Sequence, residues 1–213
     1  MRKLLYYGGS FDPPHATHRA VLQAALRLVQ PDAALIVPTG NASSYKTRAL
    51  SPPEHRLAMC DLAFADFPQV QISSVEAYSD TPSYTIETLE NIEQSSAQPI
   101  DWHLLLGTDQ MAHIQNWQRW QPLLSKVTVI LAPRAGLDAA SLAQSRHNSA
   151  LCARLQHVPT LEMDVSSTDL RQRLSHWGAS RRADTGIDTD TAALTALLGA
   201  PVLRYIAAHS LYF

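Results

Sequence analysis

The sequence predicts an α/β fold, in which helices cover both faces of an open parallel sheet. Short apolar runs of strand length alternate along the chain with longer helix-like segments, which is the pattern of successive βαβ units. The run from Val127 to Leu131 is apolar or β-branched throughout, as a strand buried on both faces requires. With 213 residues, of which 46% are hydrophobic, the chain can bury one core. We therefore expect a single domain over residues 1–213, with a small helical subregion at residues 165–213.

The first βαβ unit occupies the N-terminal part of the chain. Residues 4–7 are apolar and of strand length, residues 15–29 have a helical pattern, and residues 33–37 form a second apolar run. The polar segment 39–50 follows and contains Lys46. Because ligands of open α/β sheets bind at the carboxyl ends of the strands, we expect this loop to contribute to a site.

The next helix is predicted from its start. Ser51 can cap it, Pro52 suits its first turn and Glu54 completes a capping box, so that the helix runs to about Phe64. Further strands are assigned to short apolar runs, and further helices to segments with helical spacing of apolar residues. These later elements are a strand at residues 70–73, a helix at 84–94, strands at 102–106 and 127–131, a helix-like segment at 137–155, a strand at 160–163, a helix from 166, a loop at 178–190 and a closing amphipathic helix at 201–212.

Composition and charge exclude several classes of protein. The formal net charge of -2 creates no overall field that would attract nucleic acid or a membrane surface. No apolar run approaches the roughly 20 residues that a membrane span needs, and the strand-like start leaves no room for a signal-peptide core. Cys60 and Cys152 are far apart and lack metal-ligand spacing, so we expect free thiols and a cytoplasmic protein.

One segment between the first strand and the first helix has the composition of a phosphate site. It reads Gly8-Gly9-Ser10-Phe11-Asp12-Pro13-Pro14-His15-Ala16-Thr17-His18 and is called the histidine turn below. The glycine pair lets the backbone come close to a bound group, and the helix start offers N–H groups and a positive dipole end. His15 and His18 lie on one face of the first helical turn. Together these features indicate phosphate chemistry.

Two features in the middle of the chain could bind the rest of a nucleotide. Asp109 follows the end of a strand at Gly107, where a carboxylate can bind a ribose hydroxyl. Trp117 and Trp120 are expected on neighbouring helical positions, and a tryptophan at a pocket mouth can stack on an aromatic ring. The ordinary structural alternatives are an acid that stabilises a helix start and the edge of a core.

A second anion site is predicted near the C-terminal part of the chain. Ser166 and Asp169 form a capping-box-like helix start, and Arg171 lies one turn into the helix. Hydroxyls, backbone N–H groups and a guanidinium together suit a phosphate. A well-capped surface helix is the structural alternative.

These segments carry a family resemblance. The histidine turn resembles the signature G-G-S/T-F-D-P-x-H-x-G-H of the nucleotidyltransferases of the histidine-x-glycine-histidine type. Residues 81–89 resemble the phrase T-x-S-Y-T-x-x-T-L of one branch, the bacterial nicotinate-nucleotide adenylyltransferases, and residues 107–120 resemble its G-x-D with a later W-x-x-W/Y. Residues 165–171 resemble I-S-S-T-x-I-R, and the closing helix resembles P-V-x-x-Y-I-x-x-x-x-L-Y. The resemblance therefore spans nearly the whole chain.

The resemblance implies a Rossmann-like fold, a single nucleotidyltransferase domain, and transfer of AMP from ATP to nicotinate mononucleotide, with deamido-NAD and pyrophosphate as products. It implies Mg²⁺ entering with ATP and no metal ligand set on the protein. The catalytic residues that it implies are His15, His18 and Arg171. The ATP-binding residues are Gly8, Gly9, Ser10, Phe11, His18, Gly107, Asp109, Ser167, Thr168 and Arg171. The residues for the mononucleotide are Ser10, His15, Lys46, Tyr84, Thr85 and Trp117.

The chain departs from the family pattern at two places. Thr17 stands where the family has glycine, and Ser43-Ser44-Tyr45-Lys46 replaces P-P-H-K/R, so that only Lys46 carries over. Two alternatives follow from the sequence. One is a related adenylyltransferase that acts on another phosphate acceptor, such as nicotinamide mononucleotide or phosphopantetheine, and the other is a nucleotide-binding protein with little catalysis.

Overall fold

In the computed structural model, which describes residues 1–40, 49–133, 137–159, 165–182 and 189–213, six strands form one sheet. The strands are β1 (Arg2–Gly9), β2 (Ala33–Pro38), β3 (Val70–Ile72), β4 (Ile100–Gly107), β5 (Thr128–Ala132) and β6 (Leu155–His157). The helices are α1 (Ala16–Val29), α2 (Pro53–Phe64), α3 (Thr85–Gln94), α4 (Thr108–Ala112), α5 (Trp120–Lys126), α6 (Ala139–Ser149), α7 (Ser167–Arg182), α8 (Thr189–Leu198) and α9 (Ala200–Ala208), with a 3₁₀ helix at Ile114–Asn116.

The strand order is β3-β2-β1-β4-β5-β6, and every neighbouring pair is parallel. The chain builds outwards from β1 to β3, then crosses to the other side of β1 and builds from β4 to β6. The direction of winding therefore changes between β1 and β4. In open α/β sheets a ligand binds outside the carboxyl ends of the strands at this change.

Both faces of the sheet are buried. Successive residues of a strand point to opposite faces, so neighbouring residues of β1 pack into different apolar clusters. Leu5 and Tyr7 pack into one apolar cluster, which includes side chains of α1, α2 and α7 to α9. Leu4 and Tyr6 pack into the other, which includes side chains of α3 to α5. The predicted fold class, an α/β sheet with helices on both faces, is confirmed.

The predicted loop at residues 178–190 is wrong where the structure describes it. The helix α7 continues to Arg182 and α8 begins at Thr189, while residues 183–188 lie outside the described part. Tertiary packing outweighs the polar local sequence. The indole of Trp177 is buried and donates to the hydroxyl of Thr191 across 2.6 Å, and Gly178 leaves no room for a Cβ beneath the ring of Phe213.

The predicted helix at residues 137–155 ends early. The helix α6 stops at Ser149, and Leu155–His157 forms the edge strand β6, which was not predicted. The backbone of β6 pairs with Val129 to Leu131 of β5. The strand is therefore stabilised by backbone hydrogen bonds, which no pattern of side chains in the sequence indicates. The predicted strand at 160–163 lies outside the described residues.

No single helix within the described ranges is both long and apolar enough to cross a membrane. One pair, Asp190–Leu198 with Ala200–Ala208, meets the length and composition only when taken together, across a bend of 113°.

Candidate active site

A cavity of about 560 Å³ opens at the carboxyl ends of β1 and β4, where the winding of the sheet changes. It contains seven of the predicted site residues. They are Gly8, Gly9, Ser10, Tyr84, Thr85, Asp109 and Trp117. The sequence phrases at residues 8–18, 81–89 and 107–120 therefore contribute to one cavity although they are far apart in the chain.

The two histidines of the histidine turn lie against each other beside this cavity. His15 is the N-cap residue of α1, and its ring centroid is 3.8 Å from that of His18. The backbone N–H of His15 donates to Nδ1 of His18, 3.2 Å away. A ring nitrogen that accepts a hydrogen bond carries no proton, so the proton of the neutral His18 ring is on Nε2. His18 is thus oriented as an Nε2–H donor.

Phe11 supports the turn from below. Its backbone has a φ of 48°, in the left-handed region that a phenylalanine rarely adopts. Its buried ring leaves only 3.2 Å to a Cβ at Gly9 and lies 5.1 Å from the ring of His18. A side chain at position 9 would crowd this ring, so packing favours glycine there in addition to any approach of a ligand.

Asp12 joins the histidine turn to the start of α2. Its buried carboxylate accepts the backbone N–H of Ser51 at 3.3 Å. The fully buried Arg56 donates to the carbonyl oxygens of Ser51 (3.0 Å) and Ser10 (3.1 Å). The prediction that Ser51 caps α2 is wrong, because Pro52 takes the N-cap position and the backbone of Ser51 serves the histidine turn instead.

The start of α7 docks onto the same turn. The hydroxyl of Ser167 donates to the carbonyl oxygen of Pro13 (3.1 Å), and Nη1 of Arg171 donates to that of Asp12 (2.8 Å). The expected cap is formed by Ser166, whose hydroxyl accepts the backbone N–H of Asp169 (3.1 Å) and donates to the carboxylate of the same residue (2.6 Å). The two predicted anion sites are therefore adjacent.

Thr17, the departure from the family glycine, contacts this docked segment. Its hydroxyl lies 3.5 Å from the carbonyl oxygen of Val165. The side chain thus connects the first turn of α1 to the segment that leads into α7.

The start of α3 forms the opposite wall of the cavity, and here the structure adds a residue that was not predicted. Tyr84 is the N-cap residue of α3. The backbone N–H groups at the start of the helix, beginning with that of Thr85, therefore point away from the body of the helix. The buried carboxylate of Glu76 accepts hydrogen bonds from the hydroxyls of Tyr6 and Thr88, each at 2.7 Å. Burial, with the adjacent Glu76 carboxylate, raises the pKa of Tyr6 well above its ordinary value. Glu76 thereby fixes α3 against β1.

The tryptophan region differs from its predicted form. Trp117 follows the 3₁₀ helix in an extended conformation, with φ -80° and ψ 143°, whereas Trp120 begins α5. The two side chains are therefore not neighbours on one helix, and Trp117 alone lines the cavity. The preceding helix α4 is held by Asn148 of α6, which donates to the carbonyl oxygens of Met111 (2.8 Å) and Ala112 (3.1 Å).

Not every predicted residue reaches the cavity. Its lining does not include Phe11, His15, His18, Gly107, Ser167, Thr168 or Arg171. All but Gly107 lie in the adjoining histidine turn and the start of α7, and Lys46 lies outside the described residues. Asp109 lies so close to Gly107 that a Cβ there would collide with its carboxylate.

Several lining residues were not individually named as site residues from the sequence. They are Tyr6, Thr39, Gly40, Glu76, Ser83, Leu104, Leu106, Gln110, His113, Asn116 and Gln118. Thr39 and Gly40 belong to the loop after β2, which the carboxyl-end rule predicted as part of a site. Within the described ranges no three His, Cys, Asp or Glu side chains group in a way that could hold a metal ion.

Comparisons with known proteins identify the family and the fold. The sequence model of the family described as cytidylyltransferase-like matches residues 6–173. The "Probable nicotinate-nucleotide adenylyltransferase" of Albidiferax ferrireducens is 35% identical, over 100% of this chain and 98% of the relative. That of Bordetella petrii is 34% identical over 100% of both chains. The Plasmodium falciparum nicotinic acid mononucleotide adenylyltransferase, solved in complex with NaAD, has the same fold, with a TM-score of 0.75 at 17% identity over 100% of this chain and 98% of that one.

Proposed function

Because the chain belongs to the cytidylyltransferase-like family, and within it to the nicotinate-nucleotide adenylyltransferases, we propose that it transfers AMP from ATP to nicotinate mononucleotide, with deamido-NAD and pyrophosphate as products. One observation carries the proposal. The first residues of the histidine turn (8–10), the N-terminus of α3 and Trp117 line one cavity at the change of winding of the sheet. A single ligand there can place a phosphate on the turn and an aromatic carboxylate on the helix start.

The pyridine ring occupies the Trp117 end of the cavity. The indole stacks on the ring, and the N–H groups at the start of α3, around Tyr84 and Thr85, receive the nicotinate carboxylate. Nicotinamide has no charge at this position, so the positive end of the helix dipole favours the acid over the amide.

The phosphates lie along the histidine turn. The mononucleotide phosphate has its second pKa near 6 and is largely ionised at pH 7, so it needs no general base. One of its oxygens attacks the α-phosphorus of ATP, the bond from that phosphorus to the bridging oxygen breaks, and pyrophosphate leaves. The protein has to position two anions and neutralise charge on the group in transfer.

Each predicted residue then has a role. His15 and His18 donate to phosphate oxygens, while Ser167, Thr168 and Arg171 bind the triphosphate. Gly8, Gly9, Ser10 and Phe11 shape the turn that receives it, Asp109 accepts a ribose hydroxyl and Lys46 binds the acceptor phosphate. Mg²⁺ bound to the triphosphate supplies further charge neutralisation, and it typically retains much of its water and few protein ligands. The free thiols of Cys60 and Cys152 support a reducing compartment, and we place the reaction in the cytoplasm.

A panel of phosphate acceptors tests the proposal. Nicotinate mononucleotide, nicotinamide mononucleotide and phosphopantetheine are each supplied with ATP and Mg²⁺, and pyrophosphate release is measured. The expected result is release with nicotinate mononucleotide at a kcat/KM well above the other two. Preference for another acceptor would overturn the substrate assignment, and nucleotide binding by calorimetry without any release would favour a binding protein.

A further inference from the structure

We propose that Tyr212, in the segment after α9, is a positioning residue for the reaction, because its hydroxyl holds the histidine turn through Asp12. The inference rests on the proposed function for its kinetic consequence. The contact between Tyr212 and Asp12 does not depend on which substrate the protein uses. From the sequence, residues 201–212 were predicted only as a closing amphipathic helix, with no role at the site.

The contact itself is short and charged. The hydroxyl of Tyr212 donates to Oδ1 of Asp12 across 2.6 Å, within the range of a charge-assisted O–H···O⁻ bond. Burial and the neighbouring Asp12 carboxylate raise the pKa of Tyr212 well above its ordinary value. The phenol therefore stays protonated and remains the donor at physiological pH.

Besides the Tyr212 hydroxyl, Asp12 accepts hydrogen bonds from the segment before α2 and from α7. Its Oδ2 accepts from the backbone N–H of Ser51 (3.3 Å), and its carbonyl oxygen accepts from Arg171 (2.8 Å). Arg56 connects Ser51 back to Ser10 of the same turn. The buried carboxylate of Asp12 thus connects the histidine turn to the start of α2, which follows the loop at residues 39–50, and the backbone carbonyl of Asp12 connects it to α7. Hydrogen bonds in such a network strengthen one another, so loss of the Tyr212 donor is expected to weaken the remaining contacts of Asp12.

The backbone after α9 is built to deliver this hydroxyl. Ser210 and Tyr212 have φ values of 50° and 68°, a left-handed conformation that costs such residues of the order of 1 kcal/mol or more each. The N–H of Leu211 donates to the carbonyl oxygen of Ile206 (3.1 Å). The ring of Phe213 packs edge-on against that of Trp177 at 5.8 Å. Such a conformation persists only where surrounding contacts hold it in place. Here it directs the hydroxyl of Tyr212 to Asp12 of the histidine turn.

Tyr205, in the preceding helix α9, provides a matched control. Its hydroxyl makes a hydrogen bond with Nδ1 of His55 (2.9 Å) and does not contact the histidine turn. Tyr205→Phe and Tyr212→Phe each remove one hydroxyl and keep the ring. Only the second should change the geometry of the turn.

The kinetic test compares wild type, Tyr212→Phe, Tyr205→Phe, Asp12→Asn and the double variant Asp12→Asn/Tyr212→Phe. We expect Tyr212→Phe to lower kcat about tenfold, since small misplacements of reacting groups cost up to about 100-fold, with little change in KM for ATP. Tyr205→Phe should retain wild-type kcat. In the Asp12→Asn background the Tyr212→Phe change should have almost no further effect, because residues that act through one contact are not additive. Incorporation of 4-aminophenylalanine at position 212, which restores a donor, should recover kcat.

Hydrogen exchange of the peptide covering residues 8–18 gives a readout that needs no turnover. Faster exchange in Tyr212→Phe than in Tyr205→Phe supports the proposal. Equal exchange in the two variants, or additive kcat losses in the double variant, would overturn it. If the wild type does not use nicotinate mononucleotide, the proposed function fails and the exchange comparison alone decides the role of Tyr212. If Tyr212→Phe does not fold, the 4-aminophenylalanine variant replaces it: retained wild-type exchange supports the donor role, and loosened exchange despite a restored donor contradicts it.

Discussion

The backbone N–H of His15 donates to Nδ1 of His18 across 3.2 Å, so the first histidine of the pair fixes the tautomer of the second. A proton on Nδ1 of His18 would place two donors face to face and break this bond. In the neutral His18 ring the proton is therefore on Nε2, where the proposed function has it donate to a phosphate oxygen. The interaction is made by the backbone, so it survives replacement of the His15 side chain.

Replacement of His18 tests this role directly. His18→Ala should lower kcat by about 100-fold or more, as expected for the loss of a donor that stabilises the transition state, with unchanged folding by circular dichroism. His147→Ala, which removes an exposed histidine of α6, should keep full activity. Near-normal turnover of His18→Ala would exclude the proposed role.

Trp117 should contribute to the binding of the mononucleotide and not to that of ATP. In Trp117→Ala we expect a KM for nicotinate mononucleotide raised by about tenfold, in line with 1–3 kcal/mol for stacking on an aromatic side chain, and little change in KM for ATP. Trp117→Phe retains a ring and should lose less. A defect confined to ATP in steady-state kinetics would reject the stacking assignment.

Much of the sheet was predictable because its strands are local apolar runs between turns. The runs at 4–7, 102–106 and 127–131 lie inside or across β1, β4 and β5. The strand β6 was not, because two of its three residues are exposed and it exists through backbone pairing with β5. The helix ends in the C-terminal part were predicted wrongly for a related reason. Trp177 and Gly178 are held in α7 by contacts with residues distant in sequence.

The candidate site divides in the same way. The histidine turn was recognisable because its chemistry is concentrated in eleven consecutive residues, 8–18. Glu76 was missed, because it comes from an unpatterned connection and its role depends on hydroxyls 70 and 12 residues away. The link from Tyr212 to Asp12 spans 200 residues. Side chains that support a site from such distances leave no local signal.

Glu76 should matter to stability and to substrate binding together. Glu76→Ala leaves the hydroxyls of Tyr6 and Thr88 without this acceptor, and we expect a loss of about 2–4 kcal/mol in the free energy of unfolding. The start of α3 should also loosen, which raises KM for nicotinate mononucleotide. Glu87→Ala, an exposed acid in the first turn of the same helix, should cost less than about 1 kcal/mol. Urea titrations of both variants measure the difference, and equal losses would refute the role of Glu76.

Thr17 should be tolerated where the family has glycine because its hydroxyl contacts Val165. Thr17→Gly removes that contact and places glycine in the first turn of α1, where it costs up to about 1 kcal/mol. We therefore expect a lower melting temperature and no gain in ATP affinity. Calorimetric titration with an ATP analogue checks this, and markedly tighter binding would show that the threonine obstructs ATP.

Tyr6 and Tyr212 should make the fold sensitive to alkali. Burial, together with the adjacent carboxylates of Glu76 and Asp12, raises the pKa of both phenols above the ordinary value of 10.0. Above that value the unfolded chain releases protons that the folded chain keeps, so the stabilisation is complete below about pH 10 and is lost as the pH rises further. Each phenol should contribute a slope of about 1.4 kcal/mol per pH unit.

Urea unfolding at pH values from about 9 to 11 measures this slope. The double variant Tyr6→Phe/Tyr212→Phe has no phenol at either position and should lose stability with pH much less steeply than wild type. Tyr78→Phe removes a tyrosine that is 60% exposed and should keep the wild-type slope. Parallel curves for wild type and the double variant would mean that neither buried phenol retains its proton because of the fold, and would also remove the support that protonated Tyr212 gives to its role as the donor to Asp12.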